Sequence, residues 1–293
     1  MKNRLKNIIT KSVLFLSNNK QFVLKQDSSR ILFVMGMFRS GTSLTTQVMA
    51  DLGFKLSPNW MLHHSRGKLK DLNPNGFYED FLFAHLARFW VYKMEKKGSD
   101  PPSQQDVENY RFQAIKIKEF ISFCEYISKE DRVTFFNRHK IYLLLIFKAD
   151  KLFFNPSREL IKIPMLLPFY NQIVEWLPNS SFLIVIRNPD STIKSSKVLT
   201  KVSDIDLYNK YYQHLKDLYN KYENKCIVFS YDELLKHPEF SIKSLAEAYD
   251  KNFNLDLIRL IDEELIRNKK EVELQSELYD FLLSKAINIR IND

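Results

Sequence analysis

Short apolar runs, each closed by a glycine, a proline or a polar turn, alternate along this chain with stretches in which apolar side chains return every three or four residues. Residues 31–34, Ile-Leu-Phe-Val, are continuously apolar, which predicts a short strand buried on both faces. Gly36 and Gly41 bracket a tight loop after it, and helical periodicity opens at Thr42 and Ser43 and lasts to Gly53. Residues 54–78 contain Pro58, Gly67, Pro74 and Gly76 and predict a long loop with little regular structure. Loops of that length in compact domains are often functional. Phe81, Leu82, Ala84, His85, Leu86 and Phe89 then fall at helical spacing, and Asp100-Pro101-Pro102 breaks the pattern. A charged amphipathic helix is predicted over 105–130 and a more apolar one over 138–154.

The second half returns to short strands. Residues 161–164 form a strand stopped by Pro164, 169–177 a helix closed by Pro178, and Ser181–Ile186 a second buried strand. Asn188-Pro189-Asp190 turns into a helix that runs through Ser196. Residues 204–223 are helical and rich in tyrosine, 225–229 are a third buried strand, and Tyr231-Asp232-Glu233 opens another helix. This alternation predicts the α/β class, with a P-loop-like parallel sheet flanked by helices over 31–250. A helical insertion at about 80–158 would cover a pocket. Residues 1–30 read as a basic leader with a helix, and 251–293 as a C-terminal helical extension, a long charged amphipathic helix or helix pair over 254–288. No internal repeat or low-complexity block is visible.

Composition narrows this picture modestly. The chain has 293 residues, enough to bury a full core, and 45% hydrophobic with 14% aromatic content excludes general disorder. A net charge of +9 fits a polyanionic ligand, an acidic glycan or an anionic membrane surface, and fits equally a lysine-rich genomic bias. The basic residues are spread along the chain, so no nucleic-acid arm is indicated. Cys124 and Cys226 give neither a disulfide framework nor a metal spacing, and Cys226 reads as a buried thiol, so a reducing, cytoplasmic setting is expected. Lys2, Arg4, Lys6 and Lys11 precede an apolar run over 13–16 that is too short to span a bilayer and has no cleavage site after it. A plain surface helix or a peripheral contact with a membrane would account for that segment.

The chemistry concentrates where strands end. A strand, a glycine loop and a helix start make an anion cradle of converging backbone N–H groups. The spacing from Gly36 to Gly41 matches a Walker A loop, but Thr42 stands where the lysine belongs, and the cation, Arg39, lies inside the loop. Ser40, Gly41, Thr42 and Ser43 add donors around it. Arg187 stands at the C-terminal end of the second strand, where open α/β sheets bind ligands, and Ser195 follows eight residues on. A Walker B strand would end in an acidic residue to hold Mg²⁺, so this site is expected to take an anion directly, without a metal. The bland alternatives are a glycine turn and a surface arginine at a strand end.

Met-Phe-Arg-Ser-Gly-Thr-Ser at 37–43 resembles the 5′-phosphosulfate loop of sulfotransferases that use 3′-phosphoadenosine 5′-phosphosulfate (PAPS). Arg-Asn-Pro at 187–189 followed by Ser195 resembles their 3′-phosphate motif. Asn-Pro-Asn-Gly-Phe-Tyr-Glu at 73–79 is similar to a segment of bacterial members. Lys162-Ile163-Pro164 resembles the Lys-Asp-Pro segment of tyrosylprotein and bacterial carbohydrate sulfotransferases, with Ile163 in place of the acid. Residues 228–234 are similar to a late strand-then-Tyr-Glu-x-Leu element, whereas the basic-glycine adenine loop of cytosolic members is not recognisable.

The resemblance implies in-line sulfuryl transfer to a hydroxyl acceptor, a carbohydrate or glycolipid. Arg39 and Lys162 would stand at the 5′-phosphate, Arg187 and Ser195 at the 3′-phosphate, and Glu79 would serve as base. Read from the residues alone, Glu79 is equally a dipole-stabilised glutamate at a helix start, and the resemblance, since some sulfotransferases use histidine, leaves His63 and His64 as alternative bases. His85 can equally be packing. Phe81, Phe83, Phe89, Trp90, Tyr211 and Tyr212 can stack on a sugar, although helix packing accounts for most of them more simply. The rivals are a P-loop nucleotide kinase or NTPase, a catalytically inactive nucleotide-binding protein of the same fold, and a membrane-surface scaffold.

Overall fold

Four apolar runs assemble into one parallel sheet, and that sheet fixes everything else about the site. The computed structural model describes residues 21–22, 30–56, 61–62, 76–94, 100–110, 115–116, 119, 159–200, 204–261 and 274–289. In chain order the elements are β1 (Gln21–Phe22), β2 (Leu32–Met35), α1 (Thr42–Asp51), β3 (Met61–Leu62), β4 (Glu79–Asp80), α2 (Phe81–Lys93), α3 (Gln104–Asn109) and β5 (Ile115–Lys116). They continue with β6 (Leu160–Lys162), a 3-10 helix (Pro164–Phe169), α4 (Tyr170–Trp176), β7 (Ser181–Ile186), α5 (Pro189–Thr200) and α6 (Ile205–Lys221). The last are β8 (Cys226–Ser230), α7 (Tyr231–Lys236), α8 (Pro238–Ala248), a 3-10 helix (Leu255–Leu260) and α9 (Glu277–Leu283).

The main sheet has the order β6-β2-β7-β8, with Val34 beside Lys162, Met35 beside Ile184 and Ile186 beside Ser230. Alternate residues along each strand point to opposite faces, and both faces are apolar. Phe33, Met35, Phe182, Ile184 and Ile186 pack under the core that includes Trp90, Phe169, Tyr208 and Leu215. Leu32, Val34, Leu183, Val185 and Phe229 pack against α1 and α8 through Leu44, Val48, Ile242 and Leu245. This is why 31–34 and 182–186 read as unbroken hydrophobic runs rather than alternating ones. The result is the α/β sheet flanked by helices that the alternation predicts.

Chain leaving β2 next joins the sheet on one side, as β6, and chain leaving β7 next joins on the other, as β8. The carboxyl ends of β2 and β7 therefore form a topological switch point, the place where open α/β sheets bind ligands.

Several local expectations are corrected. The helix expected over 105–130 ends at Asn109: Ser103 and Asp106 close a capping box at its start, and Tyr110 is already extended. Ile115–Lys116 then pairs antiparallel with Gln21–Phe22, so this stretch is not wholly helical. Of the single helix or helix pair expected over 254–288, the described residues show two separate segments, the 3-10 helix and the seven-residue α9, rather than one long helix. Asn254 and Ser276, both extended, accept backbone N–H bonds as separate N-caps, so each starts a new segment. This tail is part of the core: Leu282 is buried, Asn288 bonds Ser230 through both its Oδ1 and its Nδ2, and Ala286 bridges to Val228. The helix expected over 138–154 lies outside the described residues, as does the leader apart from β1 and Arg30.

Candidate active site

The loop after β2 is shaped by what cannot fit there. A Cβ on Gly36 would stand 2.7 Å from both Ser40 Oγ and the Val185 carbonyl, so the loop leaves the strand in contact with its neighbour β7. Gly41, at φ 90°, is the N-cap of α1, and a side chain there would collide with the Tyr231 ring. Arg39, at φ 68°, also adopts the left-handed backbone, an uncommon conformation for a residue with a Cβ. Ser40 turns inward: its Oγ and its N–H both bond the Met37 carbonyl, at 2.7 and 3.2 Å, so its hydroxyl braces the loop from within. Thr42 is buried at the helix start, and its carbonyl accepts from Thr46.

The two arginines meet. Arg39 Nε donates to Ser195 Oγ at 2.9 Å, across a separation of 156 residues, and Arg187 Nη1 donates to the Arg39 carbonyl at 3.0 Å. The Arg187 guanidinium lies over the Tyr231 ring, 5.0 Å from its centre. Its Nε is buried and has no hydrogen-bond partner among the described residues. Arg39, Arg187 and Ser195 thus form one constellation at the switch point.

The Arg187 main chain is held with unusual care. Its N–H donates to Tyr212 Oη at 2.8 Å, while Tyr212 and Tyr208 both donate to its carbonyl, at 2.8 and 2.9 Å. The two phenol rings stack 3.9 Å apart. Next in the chain, Asn188 N–H donates to Asp232 Oδ2 at 2.6 Å, and Tyr279 donates to the same oxygen at 3.3 Å. Burial pushes the Asp232 carboxyl above its ordinary range, while the Asn188 N–H and the Arg187 charge pull it back.

Lys162 ends β6 and is 2% exposed. Its ammonium donates to Phe77 O at 3.0 Å, Glu79 Oε1 at 3.1 Å and Ser43 Oγ at 3.3 Å, and Ser43 in turn donates to Phe77 O at 3.4 Å. Burial lowers its pKa most, Glu79 opposes that through charge and hydrogen bond, and the Arg39 charge lowers it further. The structure therefore brings Ser43, Glu79 and Lys162 together. Glu79 itself does not start the helix. It lies in β4, paired with Leu62, and the helix opens at Phe81 with Asp80 Oδ1 accepting from Phe83 N–H. The helix-start position expected for Glu79 belongs to Asp80.

Phe83, Phe89, Trp90, Tyr211 and Tyr212 are all buried in the core, and packing explains them apart from the Tyr212 hydroxyl, which bonds the Arg187 main chain. His63 and His64 lie outside the described residues, as do residues 73–75 and the side chains of Phe81 and His85. The residues that sequence reasoning undervalued are Tyr208, Tyr212 and Asp232. The tyrosine pair one helical turn apart was the available signal, but periodicity alone assigns it to a core face.

A family model described as the sulfotransferase family matches residues 32–254. Among solved structures, the chain is similar to the sulfotransferase domain of the Synechococcus PCC 7002 olefin synthase, with 14% identity, 90% of this chain and 92% of that chain covered, and a TM-score of 0.43. It is similar also to the sulfotransferase domain from the curacin biosynthetic pathway, at 13% identity, 87% and 96% coverage and a TM-score of 0.48. A Mycobacterium tuberculosis sulfotransferase gives 12% identity, 86% and 75% coverage and a TM-score of 0.36. No curated protein sequence matches the chain. The family match runs from the first strand of the main sheet past the last and takes in Arg39, Glu79, Lys162, Arg187 and Ser195, and on that extent the chain belongs to the sulfotransferase family.

Proposed function

We propose that the protein transfers a sulfuryl group from PAPS to a hydroxyl of a carbohydrate or glycolipid, with Glu79 as general base. The observation that carries this reading is the Arg39–Ser195 hydrogen bond, which joins the loop after β2 to the helix after β7. A donor with phosphates on both its 3′ and 5′ carbons calls for two anion subsites held in fixed relation. The loop at 36–43 and the turn at 187–195 would supply two, and the buried Arg187 Nε, without a partner among the described residues, is an N–H donor that an anionic oxygen would satisfy. Thr42 in place of a Walker lysine, and Arg187 in place of an acidic strand end, favour a donor bound without Mg²⁺ over an NTPase chemistry.

In the proposed reaction the acceptor oxygen attacks sulfur, and the bond from sulfur to the 5′-phosphate oxygen breaks. The acceptor proton passes to Glu79, and the electron pair leaves on the phosphate. Arg39 neutralises that phosphate, with Lys162 as a second positive charge close by. The ion pair with Lys162 fixes where the Glu79 carboxylate sits. The acceptor class rests on the family resemblance and on the net charge of +9. Among the described residues no helix is long and apolar enough to cross a membrane. A cytoplasmic location, with peripheral membrane contact through the basic N-terminus, completes the proposal.

Calorimetric titration with 3′-phosphoadenosine 5′-phosphate, with ADP and ATP as controls and no added metal, tests it. Tight binding that needs the 3′-phosphate is expected. A Mg²⁺-dependent preference for ATP, or no binding at all, would overturn the donor assignment.

A further inference from the structure

We propose that Tyr208 and Tyr212 are positioning residues for the 3′-phosphate subsite, setting the direction of the Arg187 side chain by clamping both polar groups of its own peptide backbone. The inference rests on the reading of Arg187 as a 3′-phosphate ligand. Strand β7 ends at Ile186, and Pro189, which has no N–H, opens α5. The residue between strand and turn therefore lacks a ladder to hold it. Asn188 is held from both sides, its N–H by Asp232 and its carbonyl by Thr192. Arg187 relies on the tyrosines: Tyr212 Oη accepts from its N–H, and both phenols donate to its carbonyl, with Thr192 Oγ1 a distant further donor at 3.4 Å.

Phenylalanines would fill the same stacked volume, so packing alone does not require either hydroxyl. The main chain of this one residue donates one hydrogen bond to the two buried phenols and accepts two from them, and its side chain has a buried N–H with no partner among the described residues. An arginine that must keep a donor open cannot be aimed by its own hydrogen bonds alone. Here the main chain is fixed first, and the guanidinium is steadied by the Tyr231 face and the Arg39 carbonyl. Removing the Tyr212 hydroxyl leaves the Arg187 N–H unanswered, and the backbone there is then free to rotate the guanidinium away.

The test compares the affinities of adenosine 3′,5′-bisphosphate and adenosine 5′-monophosphate in the full chain, because their ratio isolates the 3′-phosphate. Tyr212→Phe is expected to lower that ratio about tenfold, and Tyr208→Phe, which spares the N–H bond, about threefold. Tyr222→Phe is the structural control. It loses a hydroxyl bond to Asn171 away from the site and should leave the ratio within about twofold at a comparable loss of melting temperature. The inference is overturned if the Tyr208→Phe/Tyr212→Phe double variant keeps the wild-type ratio, or if Tyr222→Phe lowers it as much as Tyr212→Phe does. Should the double variant not fold, the two single variants decide by the same criterion. A wild-type ratio near one would instead refute the donor reading itself, whatever the tyrosines do.

Discussion

Arg39 combines two demands that pull against each other. Its guanidinium reaches Ser195, yet its backbone sits at φ 68°, where a Cβ is unfavourable. Arg39→Ala and Arg39→Gly both remove the guanidinium, so both are expected to abolish transfer and weaken donor binding. Only glycine relieves the backbone, so Arg39→Gly should be the more stable of the two by about 1 kcal/mol in denaturant unfolding. Equal stability would mean that the left-handed conformation is not kept in solution. Glu79 offers a separate prediction. With Lys162 bonded to it and to Ser43, Glu79→Gln preserves shape while removing the carboxylate proposed to accept the proton. Turnover should fall about 100-fold or more, with affinity for 3′-phosphoadenosine 5′-phosphate little changed. Unchanged turnover would shift suspicion to His63 and His64.

At the scale of elements, what the sequence reveals depends on how local its causes are. β2 and β7 could be read directly because burial on both faces leaves an uninterrupted apolar run. The end of the helix at Asn109 could not, because Tyr110 turns extended where periodicity still continues. Likewise Glu79 looked like a helix start, and only the pairing of β4 with β3 shows that Asp80 takes that part. The contacts that unite the site, Arg39 with Ser195 and Lys162 with Glu79, join residues far apart in sequence, and no local pattern encodes them. Helix α6 carries a pH dependence of its own. His214 is buried, bonds Gln104 Nε2 through Nδ1 at 3.1 Å, and burial lowers its pKa below the ordinary 6.5. Below that ordinary value the unfolded chain takes up the proton more readily than the fold does. The stability tied to neutral His214 is thus present above it and is lost as pH falls through the folded value. Melting temperature should therefore drop more steeply between about pH 7 and 5 in the wild type than in His214→Gln, and parallel curves would remove His214 from the account.

At the scale of the whole molecule, the sheet order has a consequence for how the chain is made. β2 is synthesised well before its two neighbours in the sheet, β6 and β7, whose residues begin at Leu160 and Ser181. Until those segments leave the ribosome, the most apolar strand of the amino-terminal region has no edge to pair with, and the loop that carries Arg39 has no β7 backbone to rest against. The last piece arrives later still, when Asn288 closes on Ser230. The candidate site therefore cannot form progressively outward from β2 during translation. It is completed only when those distant segments have been made, and the nascent chain carries β2 without its sheet neighbours from Met35 until Leu160, the interval in which a chaperone that binds exposed apolar chain is expected to engage it.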